Sequence, residues 1–496
     1  MPLSSQVPST SKATLGSRLP LPTVRKRPGY HWYVVATVCV GAFMAALDAS
    51  IVNIALPKME SAFNVSLATV EWVSLTYLLT LASLIVPLGR LADMLGRRWM
   101  YAIGFTVFII GSLLCGIAIP LWFLLAARVL QAIGAAMLQA NSVSIITAVT
   151  PAKDRGKAIG IQGSAQAVGL SLGPAIGGAL VAFAGWRWIF FVNLPVGIIG
   201  TLLGILILPA DAGKKHREPF DFLGTAILAP TLVAFIYVLN TGIKSGWGSP
   251  LVLTGMAITL LGLASFGWVE KRSTSPLVDL SLFRIPVFTT GNITGVLSFA
   301  VMYAVTLLGP FYLEYVRRLD PFQSGLYMTM IPIGMAIFTP VAGALADHFG
   351  TRMLTSAGMT MAIVGCVVLA FVSNPATAMI GYMAGLFFVG LALGLFTPPN
   401  NSSIMGSAPR TRLGVAGGIL NMSRTLGMQL GVTLGGLSYQ VFLMVHGATS
   451  ERSATVAQMV PSFRDSYMTV AGMAAIALLL SAAKRINRTS AVAKNL

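Results

Sequence analysis

Few side chains in this sequence could hold a proton or a charge away from water. Asp48 lies in the apolar stretch AFMAALDASIVNIALP (42–57), followed by Asn53. Burial disfavours the charged form of a carboxylate, so Asp48 is a candidate proton site, with Glu314 near the end of a later apolar run a lesser one. The plainer alternative for Asp48 is an acid satisfied by backbone or by Asn53. Arg128 and Gln131 fall on one stripe with Ala135, Leu138 and Ser142, a stripe that should face the interior of a helix bundle. A guanidinium cannot discharge itself at neutral pH, so Arg128 needs a partner, and a structural arginine near the outer interface is the rival reading. Arg424, with Asn421 one turn before it, is a second buried arginine. Contact with an anionic or polar ligand group and a helix-packing role are both open for it.

Other chemistry is excluded by composition. Cys39, Cys115 and Cys366 fall inside apolar runs with no metal-ligand spacing. His31, His216, His348 and His446 are scattered over different loops and ends, and no Ser/His/Asp set or Gly-rich phosphate loop is present. The chain is therefore not expected to be an enzyme and needs no cofactor.

The elements that must position these residues are membrane helices. Of 496 residues, 55% are hydrophobic and 10% charged, and the mean hydropathy is +0.80. Apolar runs of about 18 to 25 residues recur between short polar breaks, giving about fourteen crossings. The run 410–445 is too long for one straight crossing, so its ends lie outside the hydrocarbon or a tilt or kink absorbs the excess. The basic residues behind the net charge of +18 sort between alternate loops roughly 24 to 7. That asymmetry places both termini in the cytoplasm and makes nucleic acid an unneeded partner. Residues 1–30 read as a polar cytoplasmic tail rather than a cleavable signal.

A repeat organises the helices. GRLADMLGRR (89–98) and GALADHFGTR (343–352) share Gly, Leu-Ala-Asp, Gly and Arg at identical spacing. In a second pair, Gly169, Gly173, Gly177 and Gly178 match Gly427, Gly431, Gly435 and Gly436, while Pro174 faces Val432. The halves run in the same sense, the arrangement of transporters that rock about a midplane site. Asp48 has its counterpart near Ala304, and no acid there. On superposing the repeats, Arg424 lies opposite Gln162 and Gln166.

These motifs carry a family resemblance. GRLADMLGRR resembles the loop signature of the major facilitator superfamily, and RVLQAIGAAM (128–137) its fourth-helix motif. GLSLGPAIGGAL looks like the fifth-helix motif of its antiporters. LDASIVNIALP and WRWIFFVNLPVG (186–197) are similar to signatures of its fourteen-helix drug:proton antiporter group. The resemblance implies a conformational gate formed by Gly89, Asp93, Gly96, Arg97 and Arg98, with Asp347 and Arg352 as a weaker second latch; a helix-end salt bridge is the alternative. It makes Arg128 a modulator of a nearby carboxylate's proton affinity, and associates the kink at Pro174 with export. On glycines alone, close helix packing explains Gly169, Gly173, Gly177 and Gly178 equally well.

The expected architecture is an all-α polytopic membrane protein of fourteen helices, two six-helix bundles in parallel pseudo-repeat plus two inserted helices. The domains are a tail (1–30), a first bundle (31–210), an inserted hairpin (211–270), a second bundle (271–485) and a second tail (486–496). The expected activity is proton-coupled efflux of amphipathic compounds, with a lipid or metabolite transporter on the same fold as the alternative. Met44, Asn53, Trp72, Tyr77, Gln131, Gln162, Gln166, Tyr303, Tyr312, Asn421 and Arg424 are the expected cavity residues. The tenth and thirteenth helices lack a mid-membrane acid, which disfavours divalent cations as cargo. The expected setting is a bacterial cytoplasmic membrane, the partners being cargo, protons and lipid. A monomer is expected, with a periplasmic adaptor only in a Gram-negative host.

Overall fold

The computed structural model describes residues 27–151, 154–209, 222–272, 280–375, 377–409, 413–448 and 453–482. The tails, as far as residue 26 and from 483, and the start of the hairpin at 210–221 lie outside the described residues.

Fourteen long helices follow one another and no strand occurs among the described residues. In order they are α1 (Tyr30–Phe63), α2 (Trp72–Leu95), α3 (Arg97–Ile117), α4 (Leu121–Val149), α5 (Arg155–Phe183), α6 (Asn193–Ile207) and α7 (Phe222–Ser245). Then come α8 (Pro250–Arg272), α9 (Pro286–Phe311), α10 (Met330–Phe349, led in by Pro321–Met328), α11 (Thr351–Val372), α12 (Met379–Ser407), α13 (Leu413–Val445) and α14 (Val456–Ala482). Thirteen spans are long and apolar enough to cross a membrane; α7 has a shorter apolar core, Ala226–Leu239. The long run 410–445 is one helix, α13, of 33 residues without an internal proline. At 1.5 Å per residue it is about 50 Å long, so it must tilt or project beyond a hydrocarbon layer of about 30 Å.

The helices sort by what they bury. In α9, 89% of the most apolar window is inside the protein, against 17% in α8. The exposed side of α8, with Leu260 and Leu261 about two-thirds exposed, is apolar surface of the kind only lipid covers. The hairpin α7–α8 is peripheral, α7 leaning on α2 and α13.

The sequence repeat is a repeat of contacts. A Cβ on Gly169, Gly173 or Gly177 of α5 would collide with Phe43, Ser50 or Ile54 of α1. In the second half, a Cβ on Gly427, Gly431 or Gly435 of α13 would meet Val296, Ala300 or Ala304 of α9. The absence of side chains lets each pair of backbones approach closely, where van der Waals packing rather than water exclusion holds membrane helices together. The last glycine of each set instead faces the other half. Gly178 abuts Pro321 and Gly325, and Gly436 abuts the Glu71 carboxylate. In the loop repeat, Gly96 (φ 108°) and Gly350 (φ 78°) occupy the left-handed region at matching motif positions, a conformation that costs any other residue energy.

The halves meet at the end opposite the chain termini. There the Tyr315 hydroxyl of the second half donates to Glu60 Oε2 of the first at 2.7 Å, and the rings of Phe183 and Phe322 lie 5.5 Å apart. Tyr315 sits on a π-helical turn, Tyr312–Val316, that follows Pro310 at the end of α9. Such a turn re-aims side chains relative to the helix before it.

Candidate functional site

The site begins with one carboxylate. Asp48 is fully buried at mid-α1, and three donors converge on it from two other helices. Arg128 Nη1 donates to Oδ2 at 2.6 Å. Gln131 Nε2 and Asn193 Nδ2 donate to Oδ1 at 2.8 and 2.9 Å. Arg128 and Gln131 reach it together because they are one turn apart on α4, and Arg128 also donates to Gln131 Oε1 at 2.7 Å. Asn193 stands at the first position of α6. Ser112 of α3 closes the network, accepting from both amides at 3.0 and 3.1 Å and donating to the Phe190 carbonyl.

The arginine is equally committed. Its Nε donates to the Val73 carbonyl at 3.0 Å, and its guanidinium lies 4.2 Å from the Tyr77 ring centroid. Tyr77 in turn donates to the Ala45 carbonyl at 3.1 Å, so α2 braces the pair from the side. A charge-assisted pair in this setting is strong in its geometry but expensive to desolvate, and it depends on both partners remaining. The chemical capacity is plain: one proton added to Asp48 removes the anion that Arg128, Gln131 and Asn193 all address.

The remaining sequence-derived residues fall elsewhere. Gln131 and Tyr77 belong to this buried network rather than to an open cavity lining. Met44 is buried against Gly197. Asn53 accepts from Ser74 at 3.1 Å while its Nδ2 has no partner. Trp72 meets Tyr237 on α7, ring centroids 6.2 Å apart. Tyr303 lines a cavity between the halves with Ser50, Pro174, Met302, Thr306 and Met328, and its hydroxyl has no partner. Tyr312 is stacked on Tyr382 at 4.7 Å, inside the second half. Glu314 is buried on the π-helical turn far along α9 from Asp48's level, under the electrostatic influence of Lys58 and Asp320.

A second polar centre joins the halves nearer the terminal end. Arg424 Nη1 donates to Gln166 Oε1 at 2.5 Å, as superposing the repeats places them. Gln162 and Asn421 are half-buried on the same stretches of α5 and α13. At the loop motifs, Gly89 packs on Ala140. Arg97 and Arg98 donate to the carbonyls of Ser144 and Ile205, and Arg352 to that of Ala482. Asp93 and Asp347 have side chains outside the described residues.

Other acids are buried as well. Glu71, at the start of α2, is fully buried beneath Gly436 at the seam between halves. Glu60 and Glu270, near the ends of α1 and α8, are also buried. Asn193 was missed although it lies inside the quoted stretch WRWIFFVNLPVG, where it is the one amide. Ser112 gave no signal, since a lone serine in an apolar helix is ordinary.

Comparison with known proteins follows this geometry. The family model described as Major Facilitator Superfamily matches residues 38–432. The chain is 34% identical over 453 residues to the riboflavin transporter RibZ of Clostridioides difficile (strain 630), covering 91% of this chain and 96% of that protein. It is 34% identical to the multidrug resistance protein Stp of Mycobacterium tuberculosis (strain CDC 1551 / Oshkosh), over 79% of this chain and 73% of Stp. It is 30% identical to the tetracenomycin C resistance and export protein of Streptomyces glaucescens, over 84% and 77%. Among solved structures, a bacterial homologue of the human lysosomal transporter Spinster superposes with a TM-score of 0.63 at 19% identity, covering 92% of this chain and 97% of that one.

Proposed function

Because the chain belongs to the major facilitator superfamily and is a multi-pass membrane transporter, we propose that it exports amphipathic compounds in exchange for protons by alternating access. The observation that carries this reading is the Asp48–Arg128 pair, fully buried, on a helix that the α5 glycines grip. Protonating Asp48 discharges the acceptor of three hydrogen bonds and frees Arg128. The helices α1, α4 and α6 are then held by weaker contacts. Because α5 packs on α1 and carries Gly178 to the other half, a shift of α1 is passed to the seam that closes the end opposite the termini. Proton binding at one site thereby biases which end of the protein is open, which is the differential interaction a coupled cycle requires.

In this reading the terminal end, rich in Lys and Arg, faces the cytoplasm of a bacterial cell. The proton gradient is the energy source, and the chain works as a monomer without a cofactor. The drug-resistance and export names among the relatives support export; the riboflavin transporter, the longest alignment of those compared, supports a metabolite as cargo on the same machinery.

Everted membrane vesicles energised to an acid interior test the reading. Adding tetracenomycin C or riboflavin should dissipate the pH gradient, reported by a trapped acridine dye, only when the protein is present and Asp48 is intact. Equal dissipation with Asp48→Asn would count against it.

A further inference from the structure

Two arginines inside the helix bundle, the buried Arg128 and the half-buried Arg424, are treated differently by the fold. Arg128 has a carboxylate at 2.6 Å. Arg424 has none: the ion pairs among the described residues join Arg128 to Asp48 and both His446 and Arg464 to Asp465. Among the described residues its partners are a neutral amide, Gln166, and the Phe299 ring at 5.1 Å, and its Nε has no acceptor. Holding a guanidinium partly out of water without an anion is costly, so Arg424 is left ready to pair with an anion that comes to it.

Arg424 opens on a cleft between α9, α12 and α13 with about 270 Å³ of empty space, its mouth included. Its walls carry polar atoms that nothing satisfies. Asn292 is 3% exposed and its Oδ1 receives no hydrogen bond; the Thr397 hydroxyl has no partner either. Asn400 is held with its Nδ2 on the Gly291 carbonyl at 3.0 Å. Phe299 and Phe396 form the apolar sides. Among the described residues no carboxylate lines the cleft, so an incoming cation would meet the like charge of Arg424 there. The cleft is narrow in this conformation, with water-sized room of only about 10 Å³, so it can take no more than the charged atoms of a ligand, whose body must lie in the gap between the halves.

We propose that this cleft is the head-group site for anionic cargo, a carboxylate or phenolate borne on a flat aromatic body. Arg424 holds the oxygen in place of Gln166, the unpartnered Thr397 hydroxyl donates a further hydrogen bond, and the two phenylalanines border the charged end of the ligand. A planar guanidinium is suited to this, since it can present two parallel N–H groups to a carboxylate. The inference rests on the transport reading only in taking the cleft as open to cargo.

Matched xanthene dyes test it by equilibrium binding, with no gradient imposed. Fluorescein and rhodamine 123 share a ring system and differ in charge. Wild-type protein in lipid nanodiscs, with empty nanodiscs as baseline, should bind fluorescein at least 10-fold more tightly than rhodamine 123. Arg424→Gln should abolish that preference and Arg424→Lys should keep part of it. Equal or tighter rhodamine binding by the wild type overturns the proposal, and needs no variant to fold. Undiminished fluorescein preference in Arg424→Gln also overturns it. Failure of the coupling reading shows separately, as concentrative transport by Asp48→Asn, and leaves the wild-type dye preference, measured with no gradient, to stand or fall by itself.

Discussion

Arg128 and Asp48 are 80 residues apart in sequence and 2.6 Å apart in space. The pair ties α4 to α1 with both side chains shut off from the surface. Its two members are also unequal. Asp48 can lose its charge by taking a proton and Arg128 cannot, so any change of state at this point must pass through the carboxylate.

That inequality has a measurable consequence for stability. Arg128→Gln leaves Asp48 buried with no cation, a loss of about 3–5 kcal/mol for a broken buried pair. Thermal unfolding in detergent at neutral pH should show a marked drop for Arg128→Gln and a smaller one for the double variant Asp48→Asn/Arg128→Gln. If the double variant is the sum of the two single losses, the residues do not act as a unit.

The glycine stripe of α5 should be intolerant where it meets α1 and tolerant where it does not. A Cβ at Gly173 would overlap Ser50, whereas at Gly163 it would meet nothing within 4 Å. Gly173→Ala should lower stability and transport. Gly163→Ala should be neutral or mildly stabilising, since alanine is preferred to glycine in a helix by about 1 kcal/mol. Transport assays on the two variants side by side decide this, and equal tolerance would contradict the packing assigned to α5.

At the far end, Tyr315 and Glu60 form a hydrogen bond across the halves at 2.7 Å. A hydrogen bond to a charged group is worth about 1.5–3 kcal/mol, so Tyr315→Phe should shift the balance toward the form open at that end by about tenfold or more. A single cysteine placed at Thr306, which lines the space between the halves, should then react faster with a membrane-impermeant thiol reagent, once Cys39, Cys115 and Cys366 are replaced. Unchanged labelling would remove the latch role.

An anionic cargo fixes the electrical sign of transport. One proton entering and one monoanion leaving move two charges in the same sense, so an inside-negative potential drives both. Each 100 mV then contributes about 4.6 kcal/mol per cycle, twice the value for one charge. Efflux from cells of fluorescein, whose dianion at neutral pH adds a further charge in the same sense, should fall steeply when the potential is clamped to zero with valinomycin and potassium at constant pH difference. A neutral cargo would respond only half as strongly.

What the sequence disclosed depended on periodicity. Helix number, the repeat and the inward stripe of Arg128 and Gln131 follow from spacing along one helix, and the structure keeps them. Glu71 shows where this ends. At the start of an apolar run it looks like an interfacial acid, and only the close approach of Gly436 from the other half buries it. Likewise, no local pattern says that Gln131 turns to Asp48 rather than to an open cavity, because that depends on α1, α3, α4 and α6 meeting at one depth. The break at Thr329 before α10 and the π-helical turn after Pro310 are also local departures that apolar run length does not register.

The account stands most directly on whether Asp48 is the proton site. In proteoliposomes holding a fixed cargo such as riboflavin on both sides, Asp48→Asn should still exchange labelled for unlabelled cargo but fail to concentrate it under an imposed pH gradient. Wild-type protein should do both. Concentration by Asp48→Asn at the wild-type level would contradict the account, since no proton could then be carried at the position where Arg128, Gln131 and Asn193 converge.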